Sequence, residues 1–534
     1  MRGRELSALY DVAIAGSGFA GSLMAMVARR LGLSVVLLEK GRHPRVVIGE
    51  SSTPLSNLLL DTLAKRYDLP WLAPLTKWGS WQQTHPEIAC GLKRGFTFFH
   101  HDPGRETAGT SKATDRQLLV AASPNDTIAD THWFRAEFDR FLMEQARGLG
   151  ADYIDQCDVQ SARREGGEWR LTCRAGGLDM EVRAKFVVDA TGPRGLMYRM
   201  LGLKEAPLPK YPATSALYSH FTGVSRFPGA QHYADREPPY PPDAAALHHV
   251  FDGGWIWVLH FNNGWTSAGV AATAAVAERF CFAERDVAWR RLLDELPEVK
   301  EQFAAAQHQT PSTYVPRLSF RSSQIAGDGW AMLPSAAGFV DPLLSTGFPL
   351  TLLGILRLGE ILERDWATPR LSESLAMYAR ETDEELLATA DLIGALYSNM
   401  GDFGTFRVLS LLYFVAASYA ETVRRLGKPE LARSFLLHSD PIFGSALRRF
   451  TARARQGLSP QEKAELKQAI LELMAEFDVA GLTKQPSDYC YPVRAEDLFA
   501  GAEKVKASRT EIEEMLRRSG FYTGQVNDAG TKER

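Results

Sequence analysis

A glycine-rich segment at residues 11–39 constrains the fold of this chain more than any other part of its sequence. Apolar residues 12–15 predict a buried parallel strand, a run rich in Ala, Met and Leu then has helical period up to Gly32, and apolar residues 35–38 predict a second strand that ends at Glu39. Between the first strand and the helix stand three glycines at the spacing G-x-G-x-x-G: Gly16, Gly18 and Gly21.

Each residue of this motif suits the binding of a dinucleotide. Gly16 permits a tight turn, Gly18 lets the backbone approach a pyrophosphate, and Gly21 lets the helix pack close to the strand. The N-terminus of the helix faces the pyrophosphate, and Glu39 can accept hydrogen bonds from a ribose. The segment therefore predicts a dinucleotide-binding βαβ unit. The alternative is a glycine turn in an α/β domain without a ligand.

Composition narrows the class of protein. The 534 residues are 45% hydrophobic and 23% charged, which is typical of a globular protein with two or three subdomains. A net charge of −3 gives no reason to expect nucleic acid or an anionic membrane surface as a partner. Five scattered cysteines without a C-x-x-C pair favour a reducing cytoplasm over a disulfide framework or structural zinc.

Neither the N-terminus nor the most apolar later segment predicts a signal peptide or a membrane span. The first ten residues lack the apolar core of a signal peptide. The apolar run at residues 408–417 is too short to span a bilayer and predicts a buried helix. We therefore expect a cytoplasmic protein without a membrane partner.

The order of the remaining elements predicts the domain organisation. We expect one strand over residues 90–99, a polar surface loop over 105–131, a helix over 134–149, a middle block of strands and loops at about 210–325, and helices from 370 to 480 and near 509–518, followed by a frayed tail. This order predicts an α/β nucleotide-binding domain over residues 1–370 with an inserted mixed β-sheet region, and a mostly helical C-terminal domain over 371–534. No second G-x-G-x-x-G occurs, so we expect no dedicated NAD(P)H domain.

Seven motifs between residue 11 and about residue 360 resemble, in the same order, FAD-dependent monooxygenase-like flavoproteins and, within them, the flavin-dependent halogenases. The likeness is greatest to phenol halogenases of the phloroglucinol type. The motifs are G-x-G-x-x-G with Glu39, GESSTP at 49–54, Lys93-x-Gly95-x-x-Phe98, Arg135-x-x-Phe138-Asp139-x-x-Leu142, DATG at 189–192, WIWVL at 255–259 and GFVDPLLSTG at 338–347.

The resemblance implies an FAD-binding Rossmann-like fold of the p-hydroxybenzoate-hydroxylase type. It implies that a separate flavin reductase supplies FADH2, which reacts with O2 to a C4a-hydroperoxide. Chloride or bromide attacks this species, and the hypohalous acid formed moves to Lys93, where it halogenates a small electron-rich aromatic such as a phenol. The implied FAD contacts are Gly16, Gly18, Gly21, Glu39, Arg45, Ile48, Glu50, Ser51, Arg135, Val159, Asp189, Asp341 and Phe348.

The resemblance also implies a halide site at Ser345, Thr346 and Gly347, and a shield over the flavin formed by Trp255 and Trp257. The residue types fit this chemistry. A turn at the start of a helix offers the N–H donors that a halide needs. A lysine that is partly desolvated has a lowered pKa, so that it can form a haloamine or hydrogen-bond the hypohalous acid.

For several of these residues, a purely structural role remains an alternative to the functional one. Lys77 is the rival for the catalytic lysine, Trp255 and Trp257 could pack a core, Glu50 could be a surface acid, and Arg135 could form a helix-cap salt bridge. The histidines lack metal-ligand spacing, so we expect no metal, but one of them could hydrogen-bond a phenol hydroxyl. These histidines are His100, His101, His248, His249 and His260.

At three places the sequence differs from the family pattern, and these differences bear on the expected substrate and on the placement of the flavin. Leu344 stands where tryptophan halogenases carry a glutamate, so tryptophan is not the expected substrate. His260 replaces a proline, and Pro334-Ser335 replaces a G-D pair. Alternative functions are an aromatic hydroxylase, an inactive flavin-binding paralogue and a geranylgeranyl-reductase-like enzyme, and a homodimer stays open.

Overall fold

A strand, a glycine turn and a helix open the fold as the sequence predicts. In the computed structural model, which describes residues 9–104, 115–229, 237–484 and 488–523, β1 (Leu9–Ala15) leads into α1 (Phe19–Arg30) and then into β2 (Val35–Leu38), which pairs in parallel with β1. Both strands are buried over residues 12–15 and 35–38 because apolar side chains lie on both of their faces. The predicted βαβ unit is therefore present.

The other elements follow in chain order. The further strands are β3 (Cys90–Lys93), β4 (Gly95–His100), β5 (Gln117–Ala121), β6 (Asp130–Trp133), β7 (Asp152–Ile154), β8 (Cys157–Glu165), β9 (Glu168–Ala175), β10 (Leu178–Asp189), β11 (Thr214–Thr222), β12 (Ala246–Phe251), β13 (Gly254–His260), β14 (Thr266–Thr273), β15 (Gln307–His308), β16 (Thr313–Val315), β17 (Phe320–Arg321), β18 (Ala326–Gly327), β19 (Trp330–Met332), β20 (Gly338–Phe339) and β21 (Cys490–Tyr491). The further helices are α2 (Pro54–Arg66), α3 (Trp78–Thr84), α4 (Arg135–Gly148), α5 (Leu196–Met200), α6 (Ala274–Arg279), α7 (Asp286–Asp294), α8 (Pro297–Gln302), α9 (Pro334–Ala337), α10 (Gly347–Asp365), α11 (Leu371–Tyr397), α12 (Phe403–Arg425), α13 (Phe443–Ala454), α14 (Pro460–Phe477), α15 (Ala495–Ala500) and α16 (Arg509–Ser519).

The first sheet carries the nucleotide-binding motif. Its strand order is β18-β19-β10-β1-β2-β7, and the pairs from β19 to β7 are parallel. The turns after β1, β2 and β10 therefore meet at one edge of the sheet, which is where ligands bind in open parallel sheets. Gly16, Glu39 and Asp189, which are far apart in the sequence, stand at this edge.

The second sheet contains most of the predicted inserted region. Its order is β15-β11-β14-β13-β12-β4-β5-β21, so that strands from the insertion pair with β4 and β5, which precede it, and with β21 near the C-terminus. The block at about 210–325, predicted as strands and loops, also contains α6, α7 and α8. These short helices cover the apolar cluster on one face of the sheet.

Two sequence predictions were wrong between residues 90 and 131. Residues 90–99 form two strands rather than one, because the backbone turns at Arg94, whose N–H donates to Ala244 while its side chain pairs with Asp126. The predicted surface loop contains β5, which lies inside the second sheet, and the first residues of β6. Both strands find their partners far away in the chain, which a local pattern does not report; residues 105–114 of that loop lie outside the described residues.

The C-terminal part is helical, as predicted. Residues 408–417 lie in α12, a buried helix that is longer than the apolar run alone suggests. Among the described residues, the segments Leu343–Asp365 and Phe403–Arg425 have the length and composition to cross a membrane, and 83% and 78% of their most apolar windows are buried inside the protein. The division between residues 370 and 371 stays a proposal, and the predicted tail beyond residue 523 lies outside the described part of the chain.

Candidate active site

A cavity of about 520 Å³ opens at the carboxyl edge of the first sheet. It runs from the start of α1 to the start of α10 and also touches β13 of the second sheet. Most of the residues predicted to bind FAD or halide, or to shield the flavin, line it. They are Gly18, Arg45, Ile48, Glu50, Ser51, Arg135, Trp255, Trp257, Asp341, Ser345, Thr346, Gly347 and Phe348.

Two guanidinium groups flank the start of α1. A Cβ atom at Gly18 would lie 3.3 Å from Nη2 of Arg135 and 3.4 Å from Nη2 of Arg45. The N–H of Phe19, the first residue of α1, donates to Oδ1 of Asp139 at 3.2 Å, and Nε of Arg45 is buried without a hydrogen-bond partner among the described residues. Helix N–H groups and two nearby cations suit a pyrophosphate, so these residues fit the diphosphate of FAD.

Arg135 is fixed in place by neighbours on both sides. Its Nε and Nη2 donate to the carboxylate of Asp139 at 2.6 and 2.7 Å, and its Nη1 donates to the carbonyl oxygen of Gly49 at 3.1 Å. The salt bridge that the sequence left as an alternative to an FAD contact is thus present. The salt bridge leaves an FAD contact possible in the same place, because Arg135 also lines the cavity.

Glu39 ends β2 beside the glycine turn. Its carboxylate accepts hydrogen bonds from the N–H of Ser17 at 2.9 Å and from the N–H of Gly41 at 2.8 Å, and it lies 3.4 Å from Arg45. Burial alone would raise the pKa of Glu39, but Arg45 and these hydrogen bonds outweigh burial and lower the pKa. The group is therefore an ionised acceptor at neutral pH, as a ribose contact requires.

Four further residues predicted to contact FAD stand behind the cavity wall. Gly16 and Gly21 pack against each other, since a Cβ at Gly21 would lie 1.8 Å from the carbonyl oxygen of Gly16. Asp189 uses its carboxylate to hold the turn after β10, accepting from the N–H groups of Thr191 and Met197. Val159 is buried on β8, whose first residue donates its N–H to the carbonyl oxygen of Glu39.

The GESSTP loop crosses from this cavity towards the interior. Glu50 lines the cavity and pairs with His220, with Nε2 at 3.0 Å from Oε2, and both side chains are buried. The backbone of Ser51 forms an isolated antiparallel β-bridge with the backbone of His132 in β6. Glu50 is thus not a surface acid, and the loop is held by the second sheet on one side and by β6 on the other.

The turn predicted to bind halide has an uncommon backbone. Leu344 and Ser345 have φ angles of 62° and 54°, in the left-handed region, and Thr346 precedes the first residue of α10 without forming a side-chain cap. The hydroxyl of Tyr413 on α12 donates to the carbonyl oxygen of Leu344 at 2.9 Å. The first N–H groups of α10 have no partner within the helix, so the turn offers donors at the positive end of a 19-residue helix.

Trp255 and Trp257 lie on one face of β13, as their spacing predicts. Their ring centroids are 5.7 Å apart and both rings line the cavity. Nε1 of Trp255 donates to the hydroxyl of Tyr397, which in turn donates to Asp341 in the turn before α10. Hence one tryptophan is connected to the candidate halide turn through a tyrosine of α11.

A second, smaller cavity of about 160 Å³ lies on the other side of the GESSTP loop. Its walls come from both the N-terminal and the C-terminal parts of the chain and are mainly apolar or aromatic, including Phe96, Val120, Tyr413, Phe414, Met515 and Phe521. Its charged residues are Lys77, Asp130, Glu421, Arg425 and Arg494. Apolar walls with a few polar groups are typical of a site for a small organic ligand.

Lys93 contacts the walls of both cavities. Its side chain is 0% exposed; Nζ donates to Oγ of Ser51 at 2.8 Å and to the carbonyl oxygen of Ser52, and it lies 3.8 Å from the centre of the Phe96 ring. Burial lowers the pKa of Lys93 to about 7, and Asp130 works against this effect. A lysine of this kind switches between amine and ammonium near neutral pH.

Lys77, the rival lysine, occupies a different place. It lines the smaller cavity, but its Nζ donates to the carbonyl oxygen of Ser519 in the C-terminal segment. Burial and the nearby Arg425 lower its pKa. Of the two lysines, Lys93 is the one that also reaches a residue of the larger cavity.

Asp130 is the main site residue that sequence reasoning missed. It stands directly opposite Lys93 in the antiparallel pair β3–β6 and lines the smaller cavity. Its segment was predicted as a surface loop, and a four-residue strand is too short to show an alternating pattern. His220, Tyr397 and Tyr413 were missed in the same way, because their sequence neighbourhoods carry no signal of a site.

The histidines considered for a phenol hydroxyl do not line the smaller cavity. His248 lines the larger cavity, and His101 and His249 bond to each other at 3.0 Å. His100 bonds to the carbonyl oxygen of Met400, and His260 lies beside Thr266 and Asp243. Their packing inside or beside the second sheet turns them away from that cavity.

Comparison with known proteins identifies the fold and the cofactor. The family model "FAD dependent oxidoreductase" matches residues 11–250. The chain is 28% identical over 393 residues to tetracycline 7-halogenase of Kitasatospora aureofaciens, covering 71% of this chain and 68% of that protein. It is 26% identical over 412 residues to monodechloroaminopyrrolnitrin halogenase PrnC of Pseudomonas fluorescens, covering 76% and 71%.

Solved structures agree with the sequence comparison. Halogenase PltM in complex with phloroglucinol and FAD superposes with a TM-score of 0.76 at 26% identity, covering 90% of this chain and 99% of that chain. A PltM mutant in complex with FAD superposes with a TM-score of 0.79 at 26% identity, covering 91% and 100%. The predicted α/β fold of the FAD-binding Rossmann type, the cofactor FAD and the resemblance to halogenases are confirmed.

Proposed function

We propose that this chain, which belongs to the flavin-dependent halogenases and uses FAD, chlorinates or brominates a small electron-rich aromatic compound, most specifically a phenol. Two features support a phenol. PltM, with a similar fold over 90% of this chain, has been crystallised with phloroglucinol, and Leu344 leaves the halide turn without the carboxylate that tryptophan halogenases carry there. A phenol needs less help from the protein, because its own hydroxyl activates the ring.

The larger cavity is the proposed FAD site. Arg45, Arg135 and the start of α1 hold the pyrophosphate, Glu39 holds the ribose, and the GESSTP loop lies against the ring system. Bound FAD, once reduced by a separate flavin reductase, supplies with O2 the oxidant that converts a halide into hypohalous acid. Trp255 and Trp257 wall this cavity and keep the aromatic substrate away from the oxidant.

The turn at Ser345, Thr346 and Gly347 is the proposed halide site. The N–H of Ser345 donates to the carbonyl oxygen of Pro342, and the N–H groups of Thr346 and Gly347 at the positive end of α10 attract an anion. The nearest acid in the turn, Asp341, accepts hydrogen bonds from Tyr211, Tyr397 and the N–H of Leu343, and burial raises its pKa to about 6 despite these bonds. These contacts reduce the repulsion that a free carboxylate would exert on a halide.

The observation that carries the proposal is the position of Lys93. Its Nζ reaches the loop that lines the FAD cavity, and its ammonium lies over Phe96, which lines the smaller cavity. We place the substrate in the smaller cavity, the electrophilic halogen on or beside Nζ of Lys93, and the whole reaction in the cytoplasm. The protein separates the oxidant from the substrate, and Lys93 transfers the halogen between them.

The test replaces each lysine by a side chain of similar length without charge. Lys93→Met should lower halogenation of a panel of small phenols, supplied with FADH2, O2 and chloride or bromide, by at least about a thousandfold, or about 4 kcal/mol in the barrier. Lys93→Arg should fail as well, because a guanidinium stays charged and does not form a haloamine. FAD affinity and flavin oxidation should persist within a few fold, although Lys93 helps to hold Ser51 and Ser52.

The matched control is Lys77→Met, which changes the lysine in the wall of the smaller cavity. It should retain the halogenation chemistry, with changes confined mainly to KM. Near wild-type turnover by Lys93→Met together with an inactive Lys77→Met would assign the relay to Lys77. Hydroxylated rather than halogenated products from the wild type, or free tryptophan as the preferred substrate, would refute the function or the substrate class.

A further inference from the structure

We propose that Asp130 accepts the hydroxyl proton of a phenolic substrate in the smaller cavity and thereby acts as the general base of ring halogenation. The inference rests on the proposed function, since it requires an aromatic substrate in that cavity and a halogen at Lys93. To the proposed function, this inference adds Asp130 as the residue that selects rings with a hydroxyl group and raises the reactivity of those rings.

The geometry around Asp130 leaves one acceptor free. The residue is the first of β6 and stands opposite Lys93, so that the two side chains point to the same face of the pair. Oδ1 accepts from Nδ2 of Asn57 at 2.7 Å, whereas Oδ2 is buried and has no hydrogen-bond partner among the described residues. Because Asp130 lines a cavity with mainly apolar walls, Oδ2 is suited to accept from a donor on the ligand.

Charged groups from two elements and a polar group from a third face Asp130. Burial raises the pKa of its carboxyl to about 7, Lys93 and the amide of Asn57 lower it, Glu421 raises it, and Arg425 lowers it. Lys93 is on β3, Asn57 on α2, and Glu421 and Arg425 are on α12 and bound to each other. Burial thus brings the pKa of Asp130 closer to the pKa of a phenol, near 10, than the pKa of an exposed aspartate, which favours proton transfer in the transition state.

The chemical step balances without an additional reagent. As the ring's π electrons form the bond to the halogen, the halogen–oxygen bond of hypohalous acid breaks and its electron pair leaves with hydroxide. The hydroxyl proton of the substrate passes to Oδ2 of Asp130, which leaves a neutral dienone. The hydroxide then removes the proton from the halogenated carbon as water, and Asp130 returns its proton to the oxygen, which restores the aromatic ring.

A second explanation of Asp130 makes a different prediction. If Asp130 only balances the charge of Lys93, its removal should affect every substrate equally, because each one needs the halogen from Lys93. If Asp130 accepts the hydroxyl proton, only substrates with that proton should lose rate. Resorcinol and resorcinol dimethyl ether separate the two explanations, since both rings are electron-rich and only the first has hydroxyl groups.

The experiment compares Asp130→Asn with the wild type and with Asp179→Asn, a control on β10 where the exposed Asp179 pairs with Arg174. We expect kcat/KM for resorcinol to fall by about a hundredfold or more in Asp130→Asn, with the value for the ether within about threefold of the wild type. The control should match the wild type on both substrates. FAD content reports that each variant is folded.

Two further measurements keep the proposal testable if Asp130→Asn folds poorly. In Asp130→Ala, added formate should restore part of the rate on resorcinol and none on the ether. In the wild type, kcat/KM for resorcinol should fall more steeply towards acidic pH than kcat/KM for the ether, because protonation of Lys93 affects both substrates and protonation of Asp130 affects only resorcinol. Equal losses on both substrates, or no loss in either variant, would overturn the role of Asp130 while leaving halogenation intact; a wild type that halogenates no phenol would overturn the proposed function instead.

Discussion

Individual buried charges mark the two cavities. Lys93 is fully buried, Arg135 is almost buried against Asp139, and Glu50 is buried against His220. A buried charge destabilises a fold unless it is paired, and such pairs often stabilise less than apolar residues of the same volume. Their concentration around the two cavities therefore agrees with the proposed FAD and substrate sites, and the pH dependence of stability can be measured for single residues among them.

Asp341 gives a prediction about stability at the residue scale. Burial raises its pKa from 3.8 to about 6 in the folded protein, so the folded state binds this proton more tightly than the unfolded state does. The stabilisation is present below pH 4 and is lost as the pH rises to about 6 and beyond. Between pH 5 and pH 7.5 the wild type should lose about 1 kcal/mol that Asp341→Asn does not lose.

The measurement is the difference in unfolding free energy between wild type and Asp341→Asn at both pH values. The amide still accepts from the tyrosines but loses the N–H bond from Leu343, and this cost does not change with pH. Parallel pH dependences of the two proteins would show that Asp341 has an ordinary pKa.

At the scale of elements, the site depends on how closely α1 approaches β1. A Cβ at Gly21 would lie 1.8 Å from the carbonyl oxygen of Gly16, so Gly21→Ala has to push the helix away from the strand. The N–H groups of α1 would then move relative to Arg45 and Arg135. We expect Gly21→Ala to lose bound FAD during purification and to be destabilised by about 1–3 kcal/mol.

Gly148→Ala is the matched control for this change. Gly148 is the last residue of α4, and an added Cβ there meets no atom within 4 Å. This variant should keep FAD and be as stable as the wild type or slightly more so, since alanine favours a helix. Retention of FAD at the wild-type level by Gly21→Ala, measured by flavin absorbance per protein, would contradict the close-packing argument.

A second element-scale feature is the short strand β6. Residues 130–135 comprise β6 and the start of α4. In this stretch, Asp130 lines the smaller cavity, His132 forms a β-bridge with Ser51 of the GESSTP loop, and Arg135 lines the larger cavity, the proposed FAD site. The same ladder holds Lys93 on β3. One strand of four residues therefore connects the cofactor site with the substrate site.

At the scale of the whole molecule, the chain has one dinucleotide fingerprint and one parallel sheet that carries it. In the described part of the chain, the second sheet and the C-terminal helices contribute walls to the smaller cavity. We therefore predict no turnover with NADPH and FAD alone, and full turnover when a flavin reductase is added or FAD is reduced chemically. Robust NADPH-driven halogenation by protein freed of contaminating reductase would contradict this prediction.

The sequence by itself determined the βαβ unit, the turn with its three glycines, the strand of Trp255 and Trp257, the helical C-terminal part and the identity of the residues around the halide turn. These features depend on backbone conformation and side-chain period over short stretches, which local residue types control. The tertiary structure decided the break at Arg94, the burial of β5, the position of Asp130 opposite Lys93, and the different positions of Lys93 and Lys77 relative to the two cavities. Each of these depends on contacts between residues remote in the chain, such as β3 with β6 or Lys77 with Ser519, and such contacts are set by the packing of whole elements rather than by any local pattern.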